Sequence, residues 1–297
     1  MTSAGRPGTA HPVLLVLLAV VSVQFGGALA ATLLPLVGVV GSVALRLTLS
    51  TAMLWALVRP RVRGRSRADW AVVGLFSAAL TCMNLAFYAS LARLPIGVAV
   101  TIEFLGPLAL AAALSRQARD ALAVLAALTG VVLISEALTV PWAQLDLTGM
   151  LLAALAGACW AAYIVLSART GARFEGLDGI AICLALGAAV TLPLGLVTAG
   201  ADLWQPRAIL TGLGIALLSS AIPYSLELLA LRHLAAGTFG VLLSLEPAAA
   251  ALAGLLVLGQ LLGPLQLLGM ALVVVASIAV LGRRTGSTLS AAPDPSG

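Results

Sequence analysis

Four ionisable side chains stand inside apolar runs long enough to cross a lipid bilayer. Arg46 lies in the run 36–58, Glu103 in 96–114 and Glu246 in 237–258, while Glu227 sits about a turn from the end of 208–230. Each embedded charge costs about 2.5 to 3.5 kcal/mol at a helix centre on insertion scales. Three acids against one base leave at least one acid to be protonated, exposed to a watery cavity or used to bind a cation. The planar fork of a guanidinium suits a carboxylate. Two arrangements follow: Arg46 clamps Glu103 in a structural ion pair, or Arg46 receives a substrate carboxylate while an acid faces an ammonium group or carries a proton. Glu227, nearer the membrane edge, reads as a snorkelling or gating residue, and Glu136 as interfacial.

Weaker polar candidates accompany them: Gln24 in the first run, Asn84 and Tyr88 in the third, Trp160 and Tyr163 in the sixth, Tyr224 in the eighth. Hydrogen bonds between helices explain Gln and Asn equally well, and aromatics near span ends also form interfacial belts. Together they give an apolar bundle enough polar groups for a small zwitterionic ligand. Pro107, Pro223 and Pro247 interrupt spans and are hinge candidates, because proline offers no N–H and kinks a helix, baring carbonyls that can serve a cavity. Catalysis finds no support. There is no His-Glu-x-x-His, no Gly-x-Ser-x-Gly and no aspartate cluster for a metal, and His11 and His233 are the only histidines. A membrane-embedded enzyme is therefore the weaker alternative, and neither metal nor cofactor is expected. Cys82, Cys159 and Cys183 all fall within spans and read as small packing residues.

The elements that must position these residues are membrane helices. Apolar residues make up 61% of the chain and charged ones 9%, with a mean hydropathy of +1.12, which excludes a soluble globular domain. A span needs ~20 apolar residues. Such runs occur at 12–32, 36–58, 70–91, 96–114, 120–138, 149–168, 179–199, 208–230, 237–258 and 264–281, with a polar tail at 1–11 and a tail expected to be disordered at 285–297. All sixteen basic residues are arginine. Placing the N-terminus in the cytoplasm puts Arg6, the Arg59 to Arg67 cluster, Arg116, Arg119, Arg169, Arg173, Arg232, Arg283 and Arg284 inside and only Arg93 and Arg207 outside. The positive-inside rule thus sets both termini in the cytoplasm. The cluster is a topology anchor, not a nucleic-acid patch. The first span resembles a signal peptide ending at Ala28-Leu29-Ala30, but cleavage would leave an odd set of spans followed by another membrane segment.

The chain repeats itself. Leu91, Leu94, Gly97, Leu105 and Pro107 recur as Leu231, Leu234, Gly237, Leu245 and Pro247. Two units of five spans follow, 12–138 and 149–281. Because five is odd, the second is inverted relative to the first. Inverted repeats place a substrate site between them near the midplane and allow alternating access.

The segments Ile102-Glu-Phe-Leu-Gly-Pro107, Ile222-Pro-Tyr-Ser-Leu-Glu-Leu228 and Leu243-Ser-Leu-Glu-Pro247 resemble the EamA branch of the drug/metabolite transporter superfamily, more narrowly its bacterial threonine and homoserine exporters. The likeness extends to Phe25-Gly-Gly-Ala-Leu-Ala30, Leu34-Pro-Leu-Val-Gly38, Ala44-Leu-Arg-Leu47, Gly157-Ala-Cys-Trp-Ala161 and Thr238-Phe-Gly240. It implies an all-α polytopic membrane protein of ten helices in two inverted repeats, an inner-membrane location, and proton-driven export of small amino acids or analogues. Export of another metabolite or drug is the alternative. The expected partners are a small-molecule substrate, a proton and the bilayer, with monomer and homodimer both open. One departure stands out: where the family often has Glu after Leu258-Gly259, this chain has Gln260.

Overall fold

The computed structural model describes residues 10–94, 96–114, 118–134, 141, 146–243, 245–246, 249 and 263–289. They form an all-α bundle. The helical run Ala10–Val58 is two helices, α1 and α2, divided at Gly38, whose φ of 67° and ψ of −175° lie outside helical space. A positive φ is open to glycine at little cost. The remaining helices are α3 (Arg67–Leu91), α4 (Ile96–Ala113), α5 (Ala118–Ile134), α6 (Leu147–Arg173), α7 (Asp178–Ala199), α8 (the run Pro206–Leu231), α9 (Ala236–Leu243) and α10 (Pro264–Leu289). Each expected span has its helix.

Among the described residues, Thr32–Val58, Arg67–Leu91, Leu147–Arg173, Asp178–Trp204 and Pro206–Leu231 are long and apolar enough to cross a membrane. Pro12–Gly26, Thr101–Ala113, Val124–Leu133 and Pro264–Ala276 are shorter apolar helices. Two boundaries differ from expectation. The last helix continues to Leu289, so the tail expected to be disordered from 285 begins as helix. Pro247, Glu136 and Gln260 lie outside the described residues.

Local chemistry sets the helix starts. Ser66 and Asp69 form a reciprocal capping box on α3, Asp69 N–H donating to Ser66 Oγ at 3.1 Å and Ser66 N–H to Asp69 Oδ2 at 3.0 Å. Asp146 caps α6, accepting from Gly149 N–H at 3.1 Å. Pro206 opens α8, where its missing N–H costs nothing.

Packing repeats the duplication. α3 and α8 end in the same turn: the N–H groups of Arg93 and Leu94 both donate to Ser90 O at 2.9 Å, and those of His233 and Leu234 both donate to Ala230 O at 2.9 Å. Helices with the same place in their half pair with each other, α2 with α7, α4 with α9 and α5 with α10, and α3 packs on α6 as α8 packs on α1 and α2. Glycine permits the closest crossing, between α4 and α6. A Cβ on Gly106 would collide with the Gly157 carbonyl, and one on Gly157 would fall 2.5 Å from the Glu103 carbonyl oxygen. Small residues that let backbones meet are how membrane helices associate.

Three loops meet on the arginine-rich face. Arg65, from the α2–α3 loop, bonds Asp178 at 2.9 Å and stacks over the Phe174 ring at 4.6 Å. Arg173 pairs with Asp69 at 3.1 Å. Arg232, after α8, donates to the carbonyls of Phe174 and Gly176 at 2.7 and 2.6 Å. At the other end of α3 and α6, Arg93 pairs with Asp146 at 2.9 Å.

Candidate functional site

The polar centre begins with a defect in α8. Leu217–Ala221 is a π-turn, with Ile222 N–H bonded to Leu217 O. The next residue, Pro223, has no N–H to offer Ser219 O in the α register or Leu218 O in the π register. Both carbonyls take side-chain donors instead: Ser22 Oγ–H reaches Leu218 O at 2.7 Å, and Arg46 Nη2–H reaches Ser219 O. Gly26 on α1 makes room, since a Cβ there would sit 2.8 Å from Ser219 N. Pro223, a hinge candidate from sequence, is thus the source of a carbonyl cradle.

Arg46 fills that cradle. Its Nε–H donates to Ser220 Oγ at 2.6 Å, Nη1–H to Tyr88 OH at 3.3 Å, and Nη2–H to Tyr224 OH at 3.0 Å as well as to Ser219 O. The guanidinium lies 5.5 Å from the Tyr224 ring centroid, within cation–π range. A guanidinium has five N–H donors. Four are engaged, so one N–H, on Nη1, is left for a ligand. Tyr224 OH also accepts from Asn84 Nδ2 at 3.2 Å, across a sequence separation of 140 residues. That separation is the repeat offset, so equivalent positions of the two halves touch. Such a contact marks the pseudo-twofold axis, the place where inverted-repeat carriers hold their ligands.

The acids are arranged differently from the simplest expectation. Among the described residues no ion pair joins Arg46 to Glu103. Arg46 is instead held by the hydroxyls and carbonyl of α3 and α8. Glu103 is buried on α4 with no hydrogen bond from its carboxylate among the described residues, yet it lies within electrostatic reach of Arg46. Pro107 leaves the Glu103 carbonyl without its helical donor, and that oxygen faces Gly157. Glu227 is not a snorkelling edge residue. It is 4% exposed, and its Oε2 accepts from Tyr163 OH at 2.7 Å. Glu246 is half-buried and within electrostatic reach of both Glu103 and Glu227. Three acids and one arginine therefore share one neighbourhood.

The aromatics are core groups and not belt residues. Tyr163 is fully buried between Phe76, at 5.3 Å between centroids, and Tyr224, at 5.6 Å. Trp160 packs edge-on against Phe104 at 4.8 Å, beside the residue that follows Glu103. Gln24 is half-buried on α1 and stays outside the network. Ser219 and Ser220 were not among the sequence candidates, although Pro223 four residues after Ser219 was the available signal. An open groove of about 470 Å³ between α4 and α6, lined by Ile102, Leu105, Gly106, Ala109, Ala154 and Ala158 among others, is apolar and supplies none of these groups.

Comparison with known proteins agrees with this architecture. Residues 147–282 match the model of the EamA-like transporter family. Over 279 residues the chain is 40% identical to the threonine/homoserine exporter RhtA of Escherichia coli (strain K12), covering 94% of this chain and 92% of that protein. The chain belongs to the EamA-like transporter family. A second relative of this EamA-like transporter, the threonine/homoserine exporter RhtA of Salmonella typhimurium (strain LT2), is 39% identical over 284 residues, covering 96% of this chain and 93% of that protein. A crystal structure of a protein 19% identical superposes with a TM-score of 0.74 over 93% of this chain and 99% of the other, which shows a shared fold. The protein is a multi-pass membrane transporter and not an enzyme.

Proposed function

We propose that this protein exports small amino acids of the threonine and homoserine type across the bacterial inner membrane by proton-coupled alternating access, with both termini in the cytoplasm. The observation that carries the reading is Arg46. It stands where α2 and α3 of one repeat meet α8 of the other, on the contact between equivalent positions, and keeps a single free N–H. A substrate carboxylate takes that N–H, with Tyr88 OH beside it. The ammonium group turns to Glu103, whose carboxylate has no competing bonded partner. A carboxylate that exchanges an ammonium for a proton couples the two fluxes without a second ion. Glu246 is the second candidate for the proton. Glu227 is held by Tyr163 and shapes the field around Arg46. The names of the RhtA relatives support the substrate class, and the arginine excess on one face supports the orientation.

Uptake of labelled threonine and homoserine into proteoliposomes tests this. Saturable uptake, displaced by unlabelled amino acids and not by purines or sugars, is expected. Uptake no greater than in protein-free vesicles would refute the substrate assignment.

A further inference from the structure

Helices α3 and α6, one from each half of the chain, pack antiparallel, and contacts along their length fix the register. Arg93 pairs with Asp146 at 2.9 Å near one end, where Leu94 also lies against Gly149. Phe76 stacks on Tyr163 with centroids 5.3 Å apart further along, and Asp69 pairs with Arg173 at 3.1 Å at the other end. This register sets Cys82 opposite Cys159. Both thiols are half-buried, whereas Cys183 on α7 is fully buried. The sulfurs of Cys82 and Cys159 are close enough to share a hydrogen bond. Two thiols that read in sequence as separate packing residues are neighbours across the two repeats.

We propose that Cys82 and Cys159 form a dithiol site spanning the two halves, which takes a trivalent organoarsenical and, when closed, stops transport. In the reaction both S–H bonds and the arsenic–oxygen bond break, two arsenic–sulfur bonds form, and the oxygen leaves with both protons as water. Arsenic stays trivalent, so no oxidant or reductant is needed. The bridge holds α3, which carries Asn84 and Tyr88, against α6, which carries Tyr163 and through it Glu227. Partial exposure of both thiols gives a lipophilic reagent access from the bilayer.

The block of transport rests on the alternating-access reading, while formation of the adduct does not, so the experiment reads both. Purified protein in proteoliposomes is treated with phenylarsine oxide, then followed by intact mass and by labelled threonine uptake. The expected mass change is one reagent per chain less one water. It is absent in Cys82→Ser and in Cys159→Ser and kept in Cys183→Ser. Uptake falls to the protein-free background in the unsubstituted protein and returns with 2,3-dimercaptopropanol but not with 2-mercaptoethanol, while both single Ser variants resist the reagent. A bridging adduct that survives either Ser substitution, or no adduct on the folded protein, overturns the site. A bridged protein that transports at its untreated rate overturns the lock while leaving the site. Failure of threonine uptake before treatment counts against the proposed substrate and leaves the mass result to decide the dithiol.

Discussion

If Arg46 receives the substrate carboxylate, the preference for threonine over threonine amide must depend on it. Four of its five donors are bound to Ser219, Ser220, Tyr88 and Tyr224, so the ligand gains one charge-assisted N–H bond and not a bidentate fork. Such a bond contributes about 1.5 to 3 kcal/mol, and 1.4 kcal/mol corresponds to tenfold in affinity. The apparent affinity for threonine should therefore exceed that for its amide by about 10- to 150-fold. Arg46→Gln retains hydrogen-bonding capacity in the cradle but no charge, and should bring the ratio close to 1. Arg46→Lys keeps the charge and should fall between. Competition against labelled threonine in proteoliposomes gives the ratio within each variant, so partial loss of folded protein cancels. An Arg46→Gln protein that still prefers threonine to the amide as strongly as the unsubstituted protein refutes the placement of the carboxylate.

Three further outcomes follow from particular contacts. Gly106→Ala forces α4 and α6 apart, since a Cβ there meets the Gly157 backbone; overpacking of this kind costs about 1 to 3 kcal/mol and should appear as a lower unfolding temperature in detergent. Tyr163→Phe removes the only hydrogen bond to the buried Glu227 carboxylate among the described residues; stranding a buried acceptor costs about 1 to 3 kcal/mol, and the same melting assay should show it, with Tyr163→Phe/Glu227→Gln milder than the single change. At the α6 cap, the Gly149 N–H, aided by the Arg93 guanidinium, holds the Asp146 carboxyl below its ordinary value. A carboxyl lowered in the fold stabilises it above the unfolded value of about 3.9 and loses that contribution as pH falls through the folded value. Hydrogen exchange at the start of α6 should therefore quicken in acid below about pH 4, and Asp146→Asn should abolish that dependence.

The helices were legible because membrane spans announce themselves by length and hydropathy, and the duplication by matched residues such as Leu91 and Leu231, whose turns prove identical. The site was only partly legible. Opposite charge suggested an Arg46–Glu103 pair, but charge says nothing of what stands nearer, and α8 presents two serines and a tyrosine to the guanidinium. Those serines face Arg46 because a π-turn shifts the helical register ahead of Pro223, a shift that apolar periodicity does not record. Distance along the sequence placed Glu227 near a membrane edge, whereas packing of α6 on α8 buries it against Tyr163. The repeat offset, applied to Asn84, points directly at Tyr224 and would have located the axis. The Cys82–Cys159 approach needed the register of α3 on α6, which no local signal carries.

The central claim is that a carboxylate beside Arg46 couples proton flux to amino-acid flux. Glu103→Gln removes the titrating group and keeps the shape. Labelled threonine movement is then measured in two modes: accumulation driven by an imposed pH gradient, and exchange against unlabelled threonine without one. The account predicts that Glu103→Gln loses gradient-driven accumulation and retains exchange. Accumulation by Glu103→Gln equal to that of the unsubstituted protein would contradict it.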